Sequence, residues 1–151
     1  MKTAIVYFEG LGWPPLFKSS YIERDLIEKL YSRNIAFKPM KFAWYSRGPA
    51  EPLSGKVIAI GHSFGGPGML KWANNYSGII DLMLTLDPRN YGQPYRKPEN
   101  VKRLVNFYQT GFMRGYEVFG ADQTYKLTCG HVQVPGADIV EQVLCEEFSR
   151  E

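Results

Sequence analysis

The stretch VIAIGHSFGG, Val57 to Gly66, decides the reading of the fold. Four apolar residues, each β-branched or small, run directly into Gly61-His62-Ser63-Phe64-Gly65. A continuous apolar run of this kind suits a strand buried on both faces, as in a parallel sheet, and the residues after the glycines suit the start of a helix. Strand, tight turn, helix is the local expectation. Glycines on either side of Ser63 remove side chains where the backbone bends sharply and where the helix packs back on the strand. Ser63 is thereby presented beyond the strand end in a strained conformation that suits a nucleophile. A Gly-rich turn that only starts a helix has the same spacing, so the pentapeptide needs partners elsewhere in the chain.

Toward the N-terminus, Ala4–Phe8 (AIVYF) reads as another buried strand, followed by the loop EGLGWPPLF, whose prolines exclude regular structure. Ser20 with Glu23 fits a capping box, and Ile22, Leu26, Ile27 and Leu30 share one helical face, so a helix is expected over Tyr21–Arg33. Ile35–Trp44 reads as a strand that Pro39 makes irregular or places at a sheet edge. A Pro/Gly/Ser connection, Ser46–Gly55, leads to the central stretch.

Toward the C-terminus, the helix after the turn is expected over Gly68–Asn75, then strands over Ile79–Leu86 and Val101–Gln109 separated by a polar, Pro-rich loop. Short strands are expected at Tyr116–Phe119 and Tyr125–Thr128, His131 in a loop, and a last helix over Ala137–Phe148. Strands alternating with helices predict an α/β fold, a three-layer sandwich around a mainly parallel sheet.

Composition narrows the class. A length of 151 residues suits one domain spanning 1–151. A net charge of +3 with dispersed basic residues does not call for a nucleic-acid partner. No apolar run reaches membrane-spanning length and none resembles a signal peptide, so no membrane span and a cytoplasmic location are expected. Cys129 and Cys145 lack metal-ligand spacing and are expected to be free thiols. No metal or organic cofactor is implied.

In open parallel sheets, functional groups gather beyond the carboxyl ends of the strands, and Ser63, Asp87 and His131 all sit there in this reading. The chemistry wants all three. A serine hydroxyl needs a base to take its proton, histidine titrates in the right range, and a carboxylate on the far ring nitrogen fixes the tautomer and stabilises the imidazolium. His62 belongs to the turn itself, so His131 is the candidate base. Asp87 ends a strand directly, although Asp-Pro also commonly opens a turn. Asp122 is the rival acid, Asp81 falls mid-strand, and Asp138 suits a helix N-terminus.

GHSFGG, the strand end Leu84-Thr-Leu-Asp-Pro88, the Val105-Asn-Phe-Tyr-Gln109 strand and the late His131 together resemble a small α/β-hydrolase of the esterase/lipase type. The Leu-Asp-Pro after the strand following the turn is similar to pancreatic-type lipases, whereas most members of that family carry the acid one strand later, where Asp122 lies. The resemblance spans nearly the whole chain and implies a minimal α/β-hydrolase core without a lid. It implies ester hydrolysis through an acyl-enzyme, with Ser63 as nucleophile, His131 as base and Asp87 as acid. A thioesterase or acyltransferase uses the same parts, and a non-catalytic binding protein can retain the fold. An oxyanion hole would use the amide of Phe64 and one from the Gly10-Leu11-Gly12 loop, Leu11 first and Gly10 second. Trp13, Leu16, Phe17, Tyr91, Phe112 and Met113 are loop apolar residues on that side, and Trp13, Phe17, Tyr91 and Phe112 are the candidate substrate-lining residues. The expected partner is a small-molecule or polymer-borne ester. Arg89, Arg96, Lys97 and Arg114 suit an acidic substrate and equally a solvated basic rim.

Overall fold

Both faces of the central strands are apolar, and each face is covered by different helices. The computed structural model describes residues 2–11, 20–89 and 94–150. In chain order these hold β1 (Thr3–Glu9), a π-wound stretch Glu23–Ile27 running into α1 (Glu28–Ser32), β2 (Lys38–Ala43), β3 (Lys56–His62), α2 (Gly65–Asn75) and β4 (Ile80–Leu86). There follow the two-residue strand β5 (Tyr95–Arg96), β6 (Val101–Gln109), the two-residue strand β7 (Val118–Phe119), β8 (Gln123–Leu127), a 3₁₀ helix His131–Gly136 and α3 (Asp138–Phe148).

Six strands form one sheet in the order β2-β1-β3-β4-β6-β8, and every neighbouring pair is parallel. Alternation along the strands divides the core in two. Ile5, Tyr7, Ile58, Ile60, Leu82, Leu84 and Phe107 face Leu26, Leu30, Val140 and Leu144 of α1, its π-wound lead-in and α3. Val6, Phe8, Val57, Ala59, Met83 and Leu104 face Met69, Trp72 and Ala73 of α2 on the other side. This is the expected α/β arrangement, helix, parallel sheet, helix.

Pro39 lies in β2, an edge strand as expected, where its missing N–H breaks no ladder. The strand is shorter than expected because residues before Lys38 have no pairing partner on β1. The helix after the turn begins at Gly65, three residues before the expected start. A Cβ at Gly65 would run into the Phe8 carbonyl, so only glycine lets the helix start against β1. The last strand lies two residues earlier than expected at its start, because β8 is a half-exposed edge with little apolar patterning to mark it. His131 opens a 3₁₀ helix instead of lying in a loop.

The capping box expected from Ser20 and Glu23 does not form. The Ile22 and Glu23 amides instead donate to the buried Glu9 carboxylate at 3.0 and 3.0 Å, while Ser20 Oγ and Glu23 take Lys41 as partner. A carboxylate from the end of β1 meets the positive end of the helix more strongly than a hydroxyl does. Among the described residues, no helix is long and apolar enough to cross a membrane.

Candidate active site

Parallel pairing places the carboxyl ends of β1, β2, β3, β4 and β6 along one edge of the sheet. There Ser63 and Asp87 both adopt left-handed backbone conformations, with φ of +55° and +47°. For residues with a Cβ this is strained, and the surrounding backbone holds it in place. The Ser63 amide donates to Leu86 O at 3.0 Å, and Ser63 O accepts from the Gly66 and Arg89 amides at 3.1 and 3.1 Å. The Asp87 amide donates to Phe107 O at 2.6 Å. Ser63 and Asp87 are thus each pinned by the neighbouring strand of the sheet, β4 and β6 respectively.

The Asp87 side chain is fully buried and accepts three hydrogen bonds among the described residues. Oδ1 accepts from the Gln109 amide at 3.0 Å, and Oδ2 accepts from Gln109 Nε2 at 3.0 Å and from His131 Nδ1–H at 2.5 Å. Burial alone would raise its pKa, but the bonds from His131 and Gln109 outweigh that and hold the carboxyl below its ordinary value. His131, 8% exposed, therefore carries its proton on Nδ1 and leaves Nε2 as the basic nitrogen of the neutral ring. Of the two candidate acids, Asp87 is the one brought to His131. Asp122 instead accepts from the Leu104 amide and Lys97, both at 2.8 Å, and Asp81 is held by the Val57 amide and Lys102.

Ser63 is buried, and its Oγ makes no hydrogen bond among the described residues. Among the described residues no hydrogen bond joins it to His131, whose Nδ1 is taken by Asp87. Gly10 lies against the turn: a Cβ there would come within 2.9 Å of Ser63 Cβ and 3.4 Å of the Phe64 nitrogen. This brings the backbone leading to the half-buried Leu11 beside the amide that follows Ser63. Phe64 also opens α2, where the helix dipole favours negative charge. The two segments expected to frame an oxyanion are therefore neighbours.

Three contributors were not singled out from the sequence. Gln109 orders Asp87 by two bonds and ties Phe112 O and the Gly111 amide to the same spot. Gly115 packs on the acid so tightly that a Cβ would lie 2.7 Å from Asp87 Cα and Cγ and closer still to Oδ1. His62, 1% exposed, donates from Nε2 to the His131 carbonyl at 3.0 Å and stacks its ring on that of His131 at 4.8 Å. Its Nδ1 is buried without a hydrogen-bond partner among the described residues. Burial first, and His131 second, push the His62 pKa down to about 4, so it stays neutral near neutrality. Only Gln109 carried a sequence signal, in the strand end VNFYQ.

Of the expected lining residues, Trp13, Leu16, Phe17 and Tyr91 lie outside the described residues. Phe112 is 90% exposed and Met113 41%, so neither is enclosed by the site. A groove of about 820 Å³ instead runs along Trp44, Tyr45, Arg47, Phe64, Lys71 and Trp72. Three of the four basic residues noted in the sequence have side-chain partners: Arg89 donates to Arg114 O, Lys97 pairs with Asp122, and Arg96 lies over the Phe119 ring. Cys129 and Cys145 are unpaired and half-buried, and among the described residues no His/Cys/Asp/Glu cluster is disposed to hold a metal ion. No family model matches the chain, and neither the curated proteins nor the solved structures contain a significant match to it.

Proposed function

We propose that the protein is a serine hydrolase of the α/β-hydrolase type that cleaves carboxylic esters through an acyl-enzyme. The observation that carries this reading is the buried Asp87–His131 pair at 2.5 Å, set one strand away from a serine in strained left-handed geometry. His131 Nε2 takes the Ser63 proton as Oγ bonds to the carbonyl carbon. Asp87 keeps Nδ1–H oriented and stabilises the imidazolium. The oxyanion is met by the amides of Phe64 and Leu11, each worth about 3 kcal/mol in the transition state. Nε2–H then protonates the leaving alcohol, and water, activated by the same nitrogen, hydrolyses the acyl-enzyme and restores Ser63.

Fluorophosphonate labelling followed by intact mass tests this. Wild type is expected to gain one phosphonyl group, and Ser63→Ala none. A well-folded wild type that takes no label refutes the reading.

A further inference from the structure

We infer that the groove between the end of β2 and the outer face of α2 binds the non-reacting part of the substrate, and that this part is apolar with an anionic end. The inference rests on the proposed chemistry for its link to Ser63, but the groove and its charge are independent of it.

The groove begins at the reacting edge. Trp44–Arg47 follow the carboxyl end of β2, and Phe64 follows Ser63, so the parallel sheet brings both to the same side. The Trp44 and Phe64 rings lie 5.8 Å apart, and Trp44 stands edge-on to Tyr45 at 5.4 Å. The floor is tight, because a Cβ at Gly68 would strike the Trp44 carbonyl. Trp72 Nε1 donates to Pro49 O at 2.9 Å, which fixes the wall behind. Aromatic walls of this kind favour an apolar or aryl body.

Charge decides the other end. Arg47 and Lys71 both border the groove and are exposed, and among the described residues neither ion-pairs with a carboxylate. Other described cations, such as Lys38, Arg89 and Lys126, also lack an acidic partner among the described residues, but none of them borders the groove. Two unneutralised cations flanking an aromatic groove complement an anion at one end of an apolar ligand. Lys71 stands eight residues along from Ser63, so the helical rise alone puts its backbone roughly 12 Å from that of Ser63. A carboxylate or phosphate carried on a medium-length alkyl or arylalkyl chain spans that distance.

Titration calorimetry of the wild-type protein with 4-phenylbutyrate and its neutral isostere 4-phenylbutyramide tests the inference. The anion is expected to bind roughly fivefold or more tighter at low salt, as two partly exposed charge contacts allow. The preference is expected to vanish in Arg47→Gln/Lys71→Gln and to reverse in Arg47→Glu/Lys71→Glu, with unchanged melting temperatures establishing that both fold. Equal affinity for acid and amide, binding of neither, or a preference that survives the double substitution overturns it. Labelled Ser63 with no anion preference removes the groove inference alone. Anion preference in a protein that takes no fluorophosphonate removes the hydrolase and leaves the groove as a binding site.

Discussion

His62 makes the native state sensitive to mild acid, and the size of the effect follows from its surroundings. The ring is 1% exposed, stacked on His131 and set edge-on to Tyr21 at 5.8 Å, with one nitrogen donating to a backbone carbonyl and the other without a partner among the described residues. Protonation would bury a charge beside a second imidazole, against which Asp87 and Asp25 supply only smaller, opposing attractions. The folded pKa lies near 4, against 6.5 for an ordinary histidine. The sign follows directly: the unfolded chain takes the proton first, so stability is full above about 6.5, falls through the interval, and falls no further from this cause below about 4. At about 1.4 kcal/mol per pH unit, the loss is about 3 kcal/mol, a large share of a typical domain's stability. His62→Gln keeps an N–H for the His131 carbonyl and removes the titration. Urea unfolding of both proteins between pH 7 and 4 isolates the residue and its couplings, because the contributions of groups that do not interact with it, such as Glu9, cancel in the difference. Wild type is expected to lose about 3 kcal/mol more than the variant across that window. Parallel stability curves would refute the reasoning.

Asp87→Asn places an amide where His131 Nδ1–H and Gln109 both donate, so kcat on an activated ester is expected to fall on the order of 10³–10⁴-fold. Because the Asp87 carboxyl titrates below its ordinary value, its stabilising effect is present above the normal carboxylate range and lost as pH falls through the folded pKa, so the stability gap between wild type and Asp87→Asn should narrow below about pH 4. Gly115→Ala drives a methyl group into the acid. It is expected to lower kcat at least about 100-fold by displacing the carboxylate from His131, and wild-type kinetics in this variant would exclude Asp87 as the acid.

Much of the frame was legible because the buried strands are written as uninterrupted apolar runs. Val101–Gln109 appears as a strand with the expected bounds, and Ile79–Leu86 differs by one residue, since both are covered on two faces. Pro39 marked an edge for the same physical reason that it sits on one. The site was legible where chemistry constrains residue type: Ser63, Asp87 and His131 come to one edge, and the Asp87–His131 bond separates Asp87 from its rival Asp122. What remained hidden depends on distant partners. Glu9 caps a helix more than a dozen residues away, Gly115 touches an acid 28 positions earlier, and neither contact leaves a local pattern. Trp44 read as the end of a strand and Ser46–Arg47 as the start of a connection, because nothing in those residues reveals that α2 lies opposite. The expected lining residues were drawn from the loops after β1, β4 and β6, whereas the groove lies between the segment after β2 and α2.

The pinning of Ser63 and Asp87 by the neighbouring strand of the sheet ties reactivity to assembly. Ser63 is held by the end of β4, Asp87 by β6, and Asp87 in turn orients a histidine that arrives only after β8. A chain in which β1, β3 and α2 have already docked still has no acid at the histidine. Parallel ladders close slowly, since every pairing spans a long crossover. Ser63, Asp87 and His131 therefore take up their places only when β3, β4, β6 and the segment after β8 are all assembled.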